Sequence, residues 1–381
     1  MSESRRQVLV LTFTPFRQEP RALKQVRFLK DHYQVTTAGF GPAPFPDVPH
    51  VEVPQVRPHR WGVVGRLLGA GLLALHWYSA YLAINAWDRE ALRLLGGRAW
   101  DVVIAHDLKA LEASLRLAPS SGVVLDLHEY APRQEEHSAV WRWLIAPYFR
   151  WMCRTKVPQV AEVVTVGQGI ADEYRRQFGF TSTVVVNATP FADHSPGEVT
   201  TPIRLVHSGG VAPQRRLDIM VDGVRQSTAD VTLDLYLVGE GSPVLADLKE
   251  RAAGDPRIRF CEPVPYSQLV ATLNTYDVGL SIFPPTTFNL AWCLPNKFFD
   301  YVQARLGVIV GPSPEMAGIV TQVDFGDVLT DFEPHTLARA LEALTPERVT
   351  EWKRHADAHA SELSSESQGP VWLELMARMM R

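Results

Sequence analysis

Short runs of β-branched and apolar residues alternate along the chain with longer stretches in which apolar positions recur at helical spacing. This rhythm predicts βα units around parallel sheets, because strands buried on both faces read as near-continuous apolar runs. In the first half, strands are predicted at residues 8–13, 35–40, 102–106, 123–128, 163–166 and 184–187. The second half repeats the pattern at 203–207, 231–238, 258–261, 278–283 and 308–310. Residues 187–202 separate the two sets, are rich in Pro, Ser, Thr and Gly without apolar periodicity, and read as an interdomain linker. The expectation is an α/β chain of two doubly wound domains, 1–190 and 191–364, with a terminal helix in 365–381 that packs back on the first. Ligands of such sheets bind at the carboxyl ends of the strands, so the loops there are where chemistry is sought.

Residues 67–84 break the rhythm: 18 positions without Asp, Glu, Lys or Arg. A membrane span here would put two parts of one sheet on opposite sides of a bilayer, so the segment reads as a buried helix of the first domain. The alternative is an interfacial helix, with Trp61, Trp77, Tyr78 and Tyr81 near headgroups and Arg57, His59, Arg60 and Arg66 just upstream. The N-terminal Arg5-Arg6 pair precedes too short an apolar run for an export signal.

Composition narrows the class. With 381 residues, 46% apolar and 21% charged, the chain is an ordinary globular protein, neither disordered nor fibrous. Its three cysteines, Cys153, Cys261 and Cys293, are widely spaced and imply neither a disulfide framework nor a zinc cluster, so a reducing cytoplasm is the simplest compartment. The net charge of −4 conceals an asymmetry: residues 1–190 carry 22 Lys+Arg against 17 Asp+Glu, and the remainder 16 against 25. The first half is too weakly basic for duplex nucleic acid but suits phosphates or an anionic membrane surface.

Several strand-end loops carry candidate chemistry. The strand at 203–207 runs into His207-Ser-Gly-Gly-Val-Ala-Pro-Gln-Arg-Arg216, where Gly209 and Gly210 let backbone approach a phosphate and Arg215 and Arg216 add positive charge; a plain glycine turn is the bland alternative. A second strand ends in Gly239-Glu240-Gly241, but no third glycine completes a dinucleotide fingerprint, which disfavours NAD-type chemistry. In the segment 289–304, Pro295 and Asn296 open a helix with Lys297 in its first turn, where a cation opposes the helix dipole and suggests an anionic ligand. Asp300 could accept hydrogen bonds from ribose hydroxyls or simply pair with Lys297. In the first domain, His106-Asp107 and Asp126-Leu-His128-Glu129 end two strands, and Arg17 and Arg21 follow the first strand toward the same side. His106 and His128 are candidate proton carriers or sugar partners. A metal site from His106, Asp107, His128 and Glu129 is conceivable, although the spacing matches no zinc signature.

In order, these motifs resemble the retaining glycosyltransferases of family 4, which have the GT-B fold of two facing Rossmann-like domains with a cleft between them. The resemblance covers most of the chain. It rests on Glu19-Pro-Arg21, where that family has Asp-Pro-Arg, on His106-Asp107, on Asp126-Leu-His-Glu129, on 163–170, on Asn187, on the glycine loop with Arg215, and on Leu294-Pro-Asn-Lys-Phe-Phe-Asp-Tyr301, which is close to the family's Leu-Pro-Asn-Lys-Leu-Phe-Glu-Tyr. It implies transfer of a hexose-type sugar from a nucleotide-sugar to a glycan or lipid-linked acceptor, as in polysaccharide biosynthesis, without metal or cofactor, by front-face attack and at the cytoplasmic membrane face. It places Gly209, Gly210, Arg215, Gly239, Glu240, Pro295, Asn296, Lys297 and Asp300 on the donor, with Arg215 and Lys297 at its diphosphate. His128 falls near the donor sugar; Arg17, Arg21, His106, Asp107 and Glu129 fall on the acceptor side. The chain departs from the pattern at Trp292, where the first Glu of a Glu-x7-Glu pair is usual, at Gly210, which replaces a basic residue, and at Gly167, which replaces a common Ser. A non-catalytic nucleotide-sugar-binding protein and a sugar-nucleotide epimerase of the same fold are the competing readings.

Overall fold

A computed structural model describes residues 5–55 and 62–381. The chain forms two compact units, Met1–Val186 with Gln368–Arg381, and Asn187–Ser367.

The first unit is built on a seven-stranded sheet in the order β3-β2-β1-β4-β5-β6-β7. Its strands are β1 (Gln7–Pro15), β2 (Gln34–Phe40), β3 (His50–Glu52), β4 (Val102–His106), β5 (Val123–Leu127), β6 (Glu162–Thr165) and β7 (Thr183–Val184). All pairings are parallel, and register sets His106 beside Asp126 at the carboxyl ends of β4 and β5. The centre is fully buried: Val8, Val10, Ile104, Val124 and Val164 pack with Val26 and Leu29 of the helix Pro20–Leu29. The C-terminal helix Gly369–Met379 adds Trp372, Leu375 and Met376 to this same core.

The second unit carries a six-stranded parallel sheet, β10-β9-β8-β11-β12-β13. Its strands are β8 (Ile203–Gly210), β9 (Val231–Val238), β10 (Ile258–Cys261), β11 (Val278–Ser281), β12 (Gly307–Val310) and β13 (Gly326–Val328). In both sheets the first strand is central and the order reverses across it, which places a switch point, and so a ligand crevice, at the carboxyl ends of β1/β4 and β8/β11.

The predicted strands all form, with shifted ends. β3 and β13 escape prediction because each has only three residues, on or near a sheet edge and incompletely buried, so neither shows a long apolar run. β1 continues through Pro15 and leaves one 3-10 turn, Phe16–Gln18, in place of a long loop. The reading of 67–84 as a buried helix is corrected. Two helices, Gly62–Ala74 and Tyr78–Ala83, occupy this region; Leu72, Leu73, Tyr78 and Leu82 turn inward, while Val64, Leu67, Leu75 and Trp77 are exposed. Trp61, Arg57, His59 and Arg60 lie outside the described residues. Among those described, no helix is long and apolar enough to cross a membrane.

Candidate functional site

In the second unit, β8 delivers a glycine pair at its carboxyl end, and the backbone there takes a form only glycine adopts easily. Gly209 has φ +143°, and a Cβ on it would lie 2.5 Å from the Lys297 Nζ and 3.4 Å from the Arg215 Nη1. The absent side chain is what lets two cations converge over this turn. Arg215 ends the 3-10 turn Pro213–Arg215 and donates to the Gly210 carbonyl at 3.1 Å. Lys297 lies in the first turn of the helix Asn296–Gln303, capped by Pro295, and is almost wholly buried. Its ammonium sits 3.2 Å from the His207 Nε2 and 4.9 Å from the centre of the Phe283 ring. Burial, and then the neighbouring Arg215 guanidinium, hold its pKa well below the ordinary lysine value. The Asp300 carboxylate opposes this shift and favours the charged ammonium.

These groups line a pocket of about 580 Å³ with Ser208, Tyr236, Tyr266, Pro295, Asn296 and Asp300. The Asp300 carboxylate accepts from the Thr189 hydroxyl at 2.6 Å and the Tyr266 hydroxyl at 3.4 Å. Gly239 and Glu240 line a neighbouring hollow of about 290 Å³ that shares Val238 and Pro263 with the first, so the predicted donor residues divide between two adjoining spaces. Arg216 turns away and pairs with Asp218 at 2.9 Å.

The first unit also gathers polar groups at its strand ends, but these satisfy one another. Arg21 is buried, its Nε and Nη2 on Asp126 at 2.7–2.9 Å and its Nη1 on the Val185 carbonyl at 2.6 Å. The expectation that Arg21 faces a ligand is therefore corrected: its charge is matched by Asp126, whose pKa Arg21 keeps below the usual carboxylate range against the opposing effect of burial. His106 is likewise enclosed, 2% exposed, with its Nδ1 2.8 Å from the His128 Nε2 and its Nε2 3.1 Å from the Gln25 Oε1. Burial lowers its pKa to about 3, and with both ring nitrogens engaged it stands as a neutral imidazole behind His128. His128 stays partly exposed; its Nδ1 lies 3.8 Å from Asp107 and 3.9 Å from Glu19, and its backbone N–H donates to Asp107 at 3.1 Å. Glu129, raised to about 7 by burial and by Asp107, stands next to it. Arg17 is exposed and donates twice to the Ala43 carbonyl. Donor atoms of His106, Asp126 and His128 approach within 4.8 Å, a spacing a metal could bridge, yet a cation there would compete with Arg21 for Asp126.

Sequence reasoning missed Gln25, Thr189 and Tyr266, and it quoted Asp126 and His207 within their motifs without giving either a role. Gln25 was discoverable, since a spacing of four from Arg21 puts it on the same face of the helix as Arg21, among the apolar positions Ala22, Val26 and Leu29. His207 carried no signal beyond ending an apolar run.

No family model matches the chain, and no curated protein sequence does. Solved structures do. HepE of Anabaena in complex with UDP-glucose superposes with a TM-score of 0.70 at 14% identity, over 98% of this chain and 99% of that one. A glycosyltransferase from Rickettsia africae gives 0.68 at 12% identity over the whole of both chains. An Escherichia coli trehalose-6-phosphate protein bound with UDP-2-fluoro glucose gives 0.62 at 10%, covering 98% and 99%. At such identities the likeness shows the fold, two Rossmann-like domains of the GT-B kind.

Proposed function

We propose that the protein is a retaining glycosyltransferase that moves a hexose-type sugar from a nucleoside diphosphate sugar to a glycan or lipid-linked acceptor. The observation that carries this reading is the pair of cations, Arg215 and Lys297, converging on Gly209 in a pocket whose lining offers the two of them one carboxylate, Asp300, which already accepts from Thr189 and Tyr266. A buried charge left unmatched by the protein is costly unless a ligand matches it. A diphosphate is such a ligand, and the charge that grows on it as the sugar departs is stabilised by several kcal/mol per nearby cation in a closed, low-dielectric site. Five of the similar structures, three of them of HepE, hold UDP or a UDP-sugar.

In this reading Arg215 and Lys297 hold the diphosphate and Asp300 receives the ribose hydroxyls, exchanging Tyr266 for them. His128 works near the sugar, its free ring nitrogen set by the His106–Gln25 relay on the other. The two cations do the work of a metal, so none is needed, and the acceptor attacks on the leaving-group face without a protein nucleophile. The exposed side chains of Val64, Leu67, Leu75 and Trp77, beside Val140 and Trp143 of the adjoining segment, favour a lipid-borne acceptor met at a membrane surface.

The purified protein is to be screened by thermal shift with UDP, GDP, ADP and dTDP, then incubated with the matching nucleotide-sugars with and without acceptor lipid. Preferential binding raises the unfolding temperature, and sugar transfer or slow donor hydrolysis follows. Conversion of the free nucleotide-sugar without an acceptor would point to an epimerase instead; binding without turnover would point to a sensor or scaffold.

A further inference from the structure

We infer that His207 is a positioning residue for Lys297: its Nδ1–H is anchored on the Leu280 carbonyl, so its Nε2 lone pair accepts one ammonium hydrogen and leaves two for a ligand. The inference rests on the donor-binding reading above, which it deepens. His207 is fully buried near the end of β8. The parallel pairing of β8 with β11 sets Leu205 beside Val278 and Val206 beside Gly279, which brings His207 to Leu280. The His207 Nδ1 lies 2.8 Å from that carbonyl. A carbonyl only accepts, so Nδ1 carries the proton. Burial and the adjacent Lys297 push the imidazole pKa well below its ordinary value, which leaves the ring neutral and Nε2 without a hydrogen. Among the described residues, the partner of that lone pair is the Lys297 ammonium, at 3.2 Å.

The other neighbours of Lys297 explain why an imidazole stands there. Arg215 repels it, the Asp300 carboxylate attracts it while accepting from Thr189 and Tyr266, and the Cys293 thiol stays protonated because burial raises it to about 11. Phe283 offers only its ring face. A carboxylate at position 207 would hold the ammonium equally well but would cancel its charge. A neutral acceptor fixes the direction of the cation and leaves the charge for an incoming anion. The arrangement also ties binding to pH. Burial and Arg215 both disfavour the charged amine in the empty pocket, and a diphosphate reverses both, so affinity falls as pH rises through the free-state pKa of Lys297. Removal of the Nε2 acceptor withdraws support from the ammonium and moves that fall to lower pH.

The test is calorimetric titration between pH 6 and 10 with whichever of UDP, GDP, ADP and dTDP binds tightest, on wild type, His207→Leu, His207→Gln and Lys297→Met. His207→Leu is expected to bind about tenfold or more weaker, from loss of a hydrogen bond to a charged group, with the decline displaced to lower pH. His207→Gln, which keeps an acceptor, is expected to stay within about threefold of wild type. In the Lys297→Met background, His207→Leu should add nothing. Wild-type affinity and pH profile in His207→Leu, or an equal loss without Lys297, would overturn the assignment. Nitrogen-15 histidine spectra of the wild type decide the contact independently of any variant's folding: a neutral Nδ1–H tautomer that persists well below the ordinary histidine range is expected, and an Nε2–H tautomer overturns it. If wild type binds no nucleoside diphosphate, the donor reading fails, and the spectra still settle the His207 contact separately.

Discussion

The two units bury cations in opposite ways. In the first, Arg21 meets Asp126 inside the protein, and His106 is kept neutral between Gln25 and His128. In the second, Lys297 is as deeply enclosed as Arg21, but its contacts are a neutral imidazole and an aromatic face, and it shares the field of one carboxylate, Asp300, with a second cation, Arg215. The same sheet architecture thus supports a closed ion pair at one set of strand ends and an open charge at the other. A matched buried charge is structural, whereas an unmatched one implies that something binds.

The largest expected effect would break the first half of this contrast. Removing one partner of the enclosed pair, by Arg21→Met or Asp126→Leu, leaves an uncompensated buried charge and should cost about 3–5 kcal/mol in a denaturant titration of the first unit. The double variant should recover much of that loss. If single and double variants lose equally, the pair is not what holds these strand ends.

In the second unit the same kind of change should act in the reverse direction. Lys297→Met removes a desolvated cation and is expected to leave stability unchanged or raise it by about 1 kcal/mol, while weakening nucleoside diphosphate binding about 100-fold. A large loss of stability here would mean that Lys297 is structural after all. Gly209→Ala follows in size. Its methyl group would displace the ammonium and strain a backbone at φ +143°, for about 1–3 kcal/mol of combined loss in stability and binding.

The pH dependence sharpens the comparison. The folded His106 has a pKa of about 3, while the unfolded chain takes up that proton near the ordinary 6.5. Its contribution is therefore complete above about 6.5 and is lost as pH falls toward 3. Asp126, also lowered, loses its contribution only below the ordinary carboxylate range. The stability of the first unit should decline with acid in those two stages, and His106→Gln should flatten the earlier one. The smallest effect belongs to the surface: Leu67→Ser with Trp143→Ser should change stability by under about 0.5 kcal/mol yet reduce cosedimentation with anionic vesicles.

Much of this was legible in the chain because apolar runs and their order report the parallel sheets directly. The Pro295-Asn296-Lys297 turn and the glycine pair before Arg215 also declared themselves, since a cation in the first turn of a helix and adjacent glycines after a strand each violate a local preference. What stayed hidden depends on contacts between distant positions. Nothing around Arg21 says that Asp126, 105 residues away, neutralises it. Nothing around His207 says that its ring meets a lysine 90 residues on. The exposed face of Gly62–Ala74 was hidden for a related reason: an uninterrupted apolar run carries no periodicity to divide the inward side from the outward one.

The central claim is that the open charge of the second unit is a diphosphate site. Its most direct test is calorimetric titration of nucleoside diphosphates into wild type and into an Arg215→Ala, Lys297→Met double variant whose folding is verified by circular dichroism. Binding by wild type at neutral pH, lost by about 100-fold or more in a folded double variant, is expected. Equal affinity in both proteins would contradict the claim, as would a wild type that binds none of the four nucleotides.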